Sequence, residues 1–88
     1  MALEQIPLIS LSEGEVATVH SVSGSAGLIG RLAAMGIAPG SKLKIIRKSR
    51  GPVVVLVHGT RVAIGHGQAS KIMVIKNQIQ DREGADTR

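Results

Sequence analysis

Cysteine and aromatic residues are both absent from this 88-residue chain. Without cysteine there is no disulfide, no thiolate nucleophile and no Cys-ligated zinc or iron–sulfur centre. A cysteine-free chain suits a reducing compartment. Without Phe, Tyr or Trp there is no aromatic groove for proline-rich peptides and no platform on which bases stack. The longest run of large apolar residues, "VVVLV", falls far short of the ~20 residues that span a bilayer. No basic segment followed by a long apolar run opens the chain, so no secretory signal is visible. A cytoplasmic protein is expected.

Acid is missing from one long stretch. Every Asp and Glu lies within the first fifteen positions or after Asn77, whereas Arg31, Lys42, Lys44, Arg47, Lys48, Arg50, Arg61 and Lys71 occupy the interval between. The formal net charge is +5. A run of cations is often a plain solvated face; one without compensating acid also suits an acidic partner.

What is present divides into one small domain, 1–76, and a polar, mixed-charge tail, 77–88. "IPLISLSEGE" suits a short first strand or extended arm, with Ser12–Gly14 as a turn. In "EVATVHSV", Ala17 and Val19 share a face and Val22 breaks the alternation, which suits a strand with a bulge or an early end. In "SGSAGLIGRLAAMG", Leu28, Leu32 and Met35 recur at helical spacing, as do Ile29 and Ala33, and Ser25 is the N-cap candidate. "KLKIIRK" sets Leu43 and Ile45 against Lys42, Lys44 and Arg47, giving a buried face and a basic one. "SRGP" reads as a loop, "VVVLVH" as a buried strand, Gly59–Thr60 as a two-residue hairpin turn with Gly first, and "RVAI" as the return strand. "GHGQAS" reads as a loop before a last strand, "KIMVIK", with Ile72 and Val74 on one face. Five or six short strands and one short helix must curl to protect their edges, so a small, strongly bent β-barrel is expected.

The segment "RLAAMGIAPG" reads as geometry. Gly36 falls where the helical period ends, the C′ position that favours the left-handed conformation, with Ile37 as C″ and Leu32 as C3. "APGS" then places Pro39 and Gly40 at the centre of a type II turn. Only Arg31 is left over. A cation near a helix C-terminus is favoured by the dipole; it can also bond carbonyls, pair with Glu13 or Glu15, or touch a partner.

"RLAAMGIAPGSKLKI", followed by "GPVVVLVHGTRVAIG" and "ASKIMV", resembles the ferrous iron transport protein A family, FeoA, over roughly Leu11 to Val74. The resemblance implies a mainly β, SH3-like barrel with one short α-helix and a link to transition-metal ions. It implies an accessory or regulatory role in ferrous iron uptake, through association with the large membrane ferrous iron transporter and its cytosolic G-protein domain. Related domains close metal-dependent repressors. One departure stands out: where the family's second hairpin ends in Ala-Leu-Arg with a Glu-Ala pair following, this chain has Ala63, Ile64 and Gly65, then Gln68 and Ala69.

Catalysis has no visible constellation: no Cys, no Asp in the body to orient a His, and serines without a base at motif spacing. "GSAGLIG" precedes a helix but lacks the Lys-Ser/Thr of a phosphate loop. No cofactor and no enzymatic activity are expected. His58 and His66 flank the hairpin and are weak metal candidates, since a zinc or ferrous site wants further His or carboxylate ligands. Two functional classes remain. One is a protein-interaction module that reaches the membrane only through its partner. The other is a basic barrel that binds nucleic acid through phosphates, or a metal-responsive regulatory domain; no stable nucleic-acid complex is expected. For the first class the docking candidates are Lys42, Lys44, Arg47, Lys48, Arg50 and Arg61 as a cationic surface, Leu28, Ile29 and Met35 on the helix as an apolar anchor, and Arg31 as a further partner contact.

Overall fold

The computed structural model describes residues 4–76; the proposed tail lies outside them. Six strands form one antiparallel sheet: β1 (Ile6–Pro7), β2 (Val16–Val22), β3 (Lys42–Arg47), β4 (Val53–Val57), β5 (Thr60–Ile64) and β6 (Ile72–Lys76), in the order β1-β6-β2-β3-β4-β5. A 3-10 turn, Leu8–Ser10, follows β1; helix α1 (Ala26–Ala34) joins β2 to β3; helix α2 (His66–Ala69) joins β5 to β6. The 3-10 turn packs on α2. Since one follows β1 and the other follows β5, this contact brings the chain just after β1 close to the chain just after β5, while among the described residues no ladder joins the two edge strands. Pro7 is tolerated because β1 is an edge, where a missing N–H costs no ladder bond.

The core is wholly apolar and is filled by alternate strand residues. Val53, Val55 and Val57 from β4 and Leu43 and Ile45 from β3 point inward, as do Ile72 and Val74 from β6 and Ala17 and Val19 from β2. Leu8 and Leu11, fully buried, plug the open side, so the opening stretch is a strand and a turn that carry core residues. In β4, expected as a buried strand, Val53, Val55 and Val57 are buried, while Val54 and Leu56 are half-buried. Five consecutive apolar residues look the same whether one face or both are covered.

The β2 bulge is present between Val19 and Ser21. Ser25 caps α1 by accepting the Leu28 N–H at 3.1 Å. The helix ends as the sequence indicates. The Ile37 N–H donates to Leu32 O and the Gly36 N–H to Ala33 O, both at 2.9 Å, with Gly36 at φ 93. This is the Schellman pair, and Leu32 and Ile37 are both fully buried. Ser41 N–H then donates to Ala38 O at 2.9 Å across Pro39–Gly40, with Gly40 at φ 95, a type II turn.

Two local readings change. The β4–β5 register pairs Val57 with Thr60, so the turn is His58–Gly59 rather than Gly59–Thr60. Both turn residues have positive φ, 51 and 75, as a type I′ turn requires; His is among the residues that tolerate this region. "GHGQAS", read as a loop, contains the single-turn helix α2, held by Ala69 N–H to Gly65 O at 2.8 Å and Ser70 N–H to His66 O at 3.0 Å. One turn is too short to carry periodicity, and two glycines hide it further.

Candidate docking surface

Strands β3, β4 and β5 place their cations on one outer face. The register sets Lys44 beside Leu56 and Leu56 beside Arg61. One row along, Arg47 lies beside Val54 and Val54 beside Ala63. Strict alternation from Leu43 and Ile45 would turn Arg47 inward. A shift between Ile45 and Arg47 makes Ile46 the extra residue and returns Arg47 to the solvent side. Lys42, Lys44, Arg47, Arg50 and Arg61 are exposed. No Asp or Glu lies on these strands or the loops between them. The half-buried Val54 and Leu56 form a shallow apolar strip among the cations. Sequence reasoning missed that strip; the alternation within "VVVLV" becomes visible only once its neighbours are known.

Lys48 does not belong to this free surface. Its Nζ donates to the carbonyls of Ile9 and Leu11, each at 2.7 Å, and its backbone N–H donates to Glu13 Oε2 at 2.8 Å. The ammonium is a clamp on the segment that delivers Leu8 and Leu11 to the core. Such a role is invisible in sequence because donor and acceptors are 37 and 39 residues apart.

Arg31 is exposed, and the anticipated pairing with Glu13 or Glu15 is not formed: both carboxylates are engaged elsewhere. Glu15 accepts the Ser12 N–H at 2.7 Å and pairs with Lys76 at 2.9 Å. The Ser12 N–H and then the Lys76 ammonium hold its carboxyl below its ordinary pKa.

On α1, Leu28 is 9% exposed and belongs to the core, so it leaves the proposed anchor. Ile29 and Met35 are 37% and 39% exposed, the large apolar side chains that face solvent among the described residues. The helix end adjoins the basic sheet through Gly36. A Cβ placed there would sit 2.8 Å from His58 Cδ2 and 3.7 Å from Val57 Cγ2. The β4–β5 turn therefore rests against the cap of α1, at the end of the hairpin that carries Arg61.

The histidines do not converge. His58 occupies the β4–β5 turn, whereas His66 follows the far end of that hairpin and its Nε2 lies 3.1 Å from Ser49 O. The five residues of β5 separate them, about 17 Å of strand at the usual rise. The two weak metal candidates therefore do not share a site. Among the described residues no group of three or more His, Asp or Glu is placed to hold a metal ion. Nor is any helix among them long and apolar enough to cross a membrane.

Comparison with known proteins fits this geometry. The chain is 47% identical over 68 residues to a protein of Methanocaldococcus jannaschii named as a candidate Fe(2+) transport protein A, covering 77% of this chain and 83% of that one. A crystal structure of an iron uptake regulatory protein, FeoA, superposes with a TM-score of 0.80 at 31% identity, covering 84% of this chain and all of the other. The zinc complex of Stenotrophomonas maltophilia FeoA, an SH3-domain protein offered as an activating factor of ferrous iron transport, gives a TM-score of 0.69 at 25% identity over 78% of this chain and 88% of that one. Similarity extends to T. acidophilum IdeR, with a TM-score of 0.78 at 26% identity over 88% of this chain and 36% of that one. The FeoA domain model matches residues 6–76, which span the whole sheet from β1 to β6, and the chain belongs to the FeoA family of ferrous iron transport proteins, with an SH3-like fold.

Proposed function

We propose that this protein is a cytoplasmic accessory protein of ferrous iron uptake that acts by docking on the membrane ferrous iron transporter, at its cytosolic G-protein domain. Family membership supplies the link to ferrous iron transport. The observation that carries the docking reading is the acid-free cationic face of β3–β5, with Ile29 and Met35 exposed on the helix whose cap meets the β4–β5 turn. The cations steer an acidic partner and set its orientation, which raises the association rate. The apolar residues lengthen residence, because most affinity differences lie in dissociation. Membrane association then runs through the partner.

A pull-down with the transporter's cytosolic region tests this, beside a gel shift with duplex nucleic acid at two salt concentrations. Retention of the transporter region with only weak, salt-erased binding of nucleic acid supports docking. A salt-resistant gel shift without retention favours the alternative of a basic barrel that binds nucleic acid.

A further inference from the structure

The sheet ends on β5, and β5 has a free side. Val57 and Thr60 flank a two-residue turn and exchange hydrogen bonds, so the alternation of an antiparallel ladder assigns Thr60, Val62 and Ile64 to bonding with β4. The N–H and C=O groups of Arg61 and Ala63 then point away from β4. Both residues are exposed, and among the described residues no strand pairs with that side of β5. Two donors and two acceptors thus stand at strand spacing on an open edge, a template for an added strand.

The side chains at this edge select what can be added. Arg61 and Ala63 lie on the same outer face as Lys44 and Arg47, two strands in. An added strand would place one side chain opposite Arg61 and another opposite Ala63, whose methyl leaves space above the half-buried Val54. The first position calls for a carboxylate and the second for a β-branched or aliphatic side chain. A second copy of this chain is disfavoured, since edge-to-edge pairing would bring two sets of these cations together. We infer that the β5 edge binds a short extended segment of a partner protein, acidic opposite Arg61 and apolar opposite Ala63, by strand addition. The identity of the partner rests on the docking reading above; the mode of binding rests on the edge.

The test uses the full chain labelled for NMR and a short synthetic peptide that carries glutamate and valine two residues apart, so that both side chains share the face that meets Arg61 and Ala63. The expected result is shifted, exchange-protected amides at Arg61 and Ala63. Binding should be lost when peptide N–H groups are methylated on one alternate set and kept when the other set is methylated. Ala63→Pro removes one edge donor from a position where proline is tolerated, and should weaken peptide binding about tenfold or more. Arg61→Glu should exchange the preference for glutamate with one for a lysine version of the peptide. Thermal melts check that both variants fold. The inference is overturned if the peptide shifts no amide at this edge, if neither methylation pattern matters, or if edge protection instead rises with protein concentration alone. The same variants are then presented to the transporter's cytosolic region. If the wild type binds the peptide but not that region, the docking reading fails and the edge stands. If the region binds wild type, Ala63→Pro and Arg61→Glu equally, the edge is not its binding site.

Discussion

Gly36 gives the sharpest stability prediction, because two separate costs meet there. At φ 93 a side chain is strained irrespective of space, by about 1–2 kcal/mol. A Cβ would also lie 2.8 Å from His58 Cδ2, a contact that ordinary packing does not allow. Displacing or compressing the ring adds about 1 kcal/mol, the lower end of overpacking costs, because His58 is exposed and can swing. Gly36→Ala should therefore cost about 2–3 kcal/mol, lowering Tm by on the order of 10 °C or more in a domain this small. Gly36→Val should cost more, since a β-branched residue suits positive φ worst. Urea unfolding of a double-mutant cycle separates the two costs. His58→Gly removes the ring and relaxes the φ 51 residue, so Gly36→Ala in that background should show only the conformational cost. A coupling of about 1 kcal/mol is the expected result. Superimposable melts of parent and Gly36→Ala would refute the cap; zero coupling would refute the contact between cap and hairpin turn.

Lys48→Met should destabilise the protein by about 1–3 kcal/mol, since it leaves the Ile9 and Leu11 carbonyls without their charged donor. Hydrogen exchange localises the effect, with Leu8 and Leu11 losing protection before the sheet does. Glu15, whose carboxyl is held below its ordinary pKa, contributes stability that is fully present above the unfolded-state value and lost as pH falls through the folded one; Glu15→Gln should flatten the acid limb of a stability–pH curve, and an unchanged limb would contradict the assignment. Ile29→Asp, at an exposed helix position, should leave circular dichroism intact and raise the dissociation rate from the transporter's cytosolic region, measured by surface plasmon resonance.

Local signals were the legible ones. Ser25, Gly36, Ile37 and Pro39–Gly40 each act within a few residues of themselves, so cap and turn chemistry place them from sequence. The strands follow from alternation, and the outward Lys42 and Lys44 of β3 follow with them, whereas Arg47 faces out only through the shift after Ile45. What escaped depends on partners distant in the chain or on a one-residue offset. Lys48 lies among other cations, and only the fold reveals that it closes on Ile9 and Leu11. Leu28 and Ile29 carry the same helical signal, yet the position of the sheet buries the first and exposes the second. The hairpin turn moved by one residue because His58 accepts a positive φ, and that offset decides which β5 groups face the open edge. His58 and His66 are eight positions apart in sequence, but a hairpin with a two-residue turn sends them to opposite ends.

The central claim is that the cationic face steers docking, and association kinetics test it most directly. Lys44→Glu with Arg61→Glu reverses two exposed charges that flank Leu56 and leaves the Lys48 clamp untouched. The account predicts that this double variant melts like the parent, associates with the transporter's cytosolic region at least about tenfold more slowly at low salt, and loses most of the parent's salt dependence. An association rate equal to the parent's at low salt, with the fold intact, would show the face to be only a solvated surface and would contradict the account.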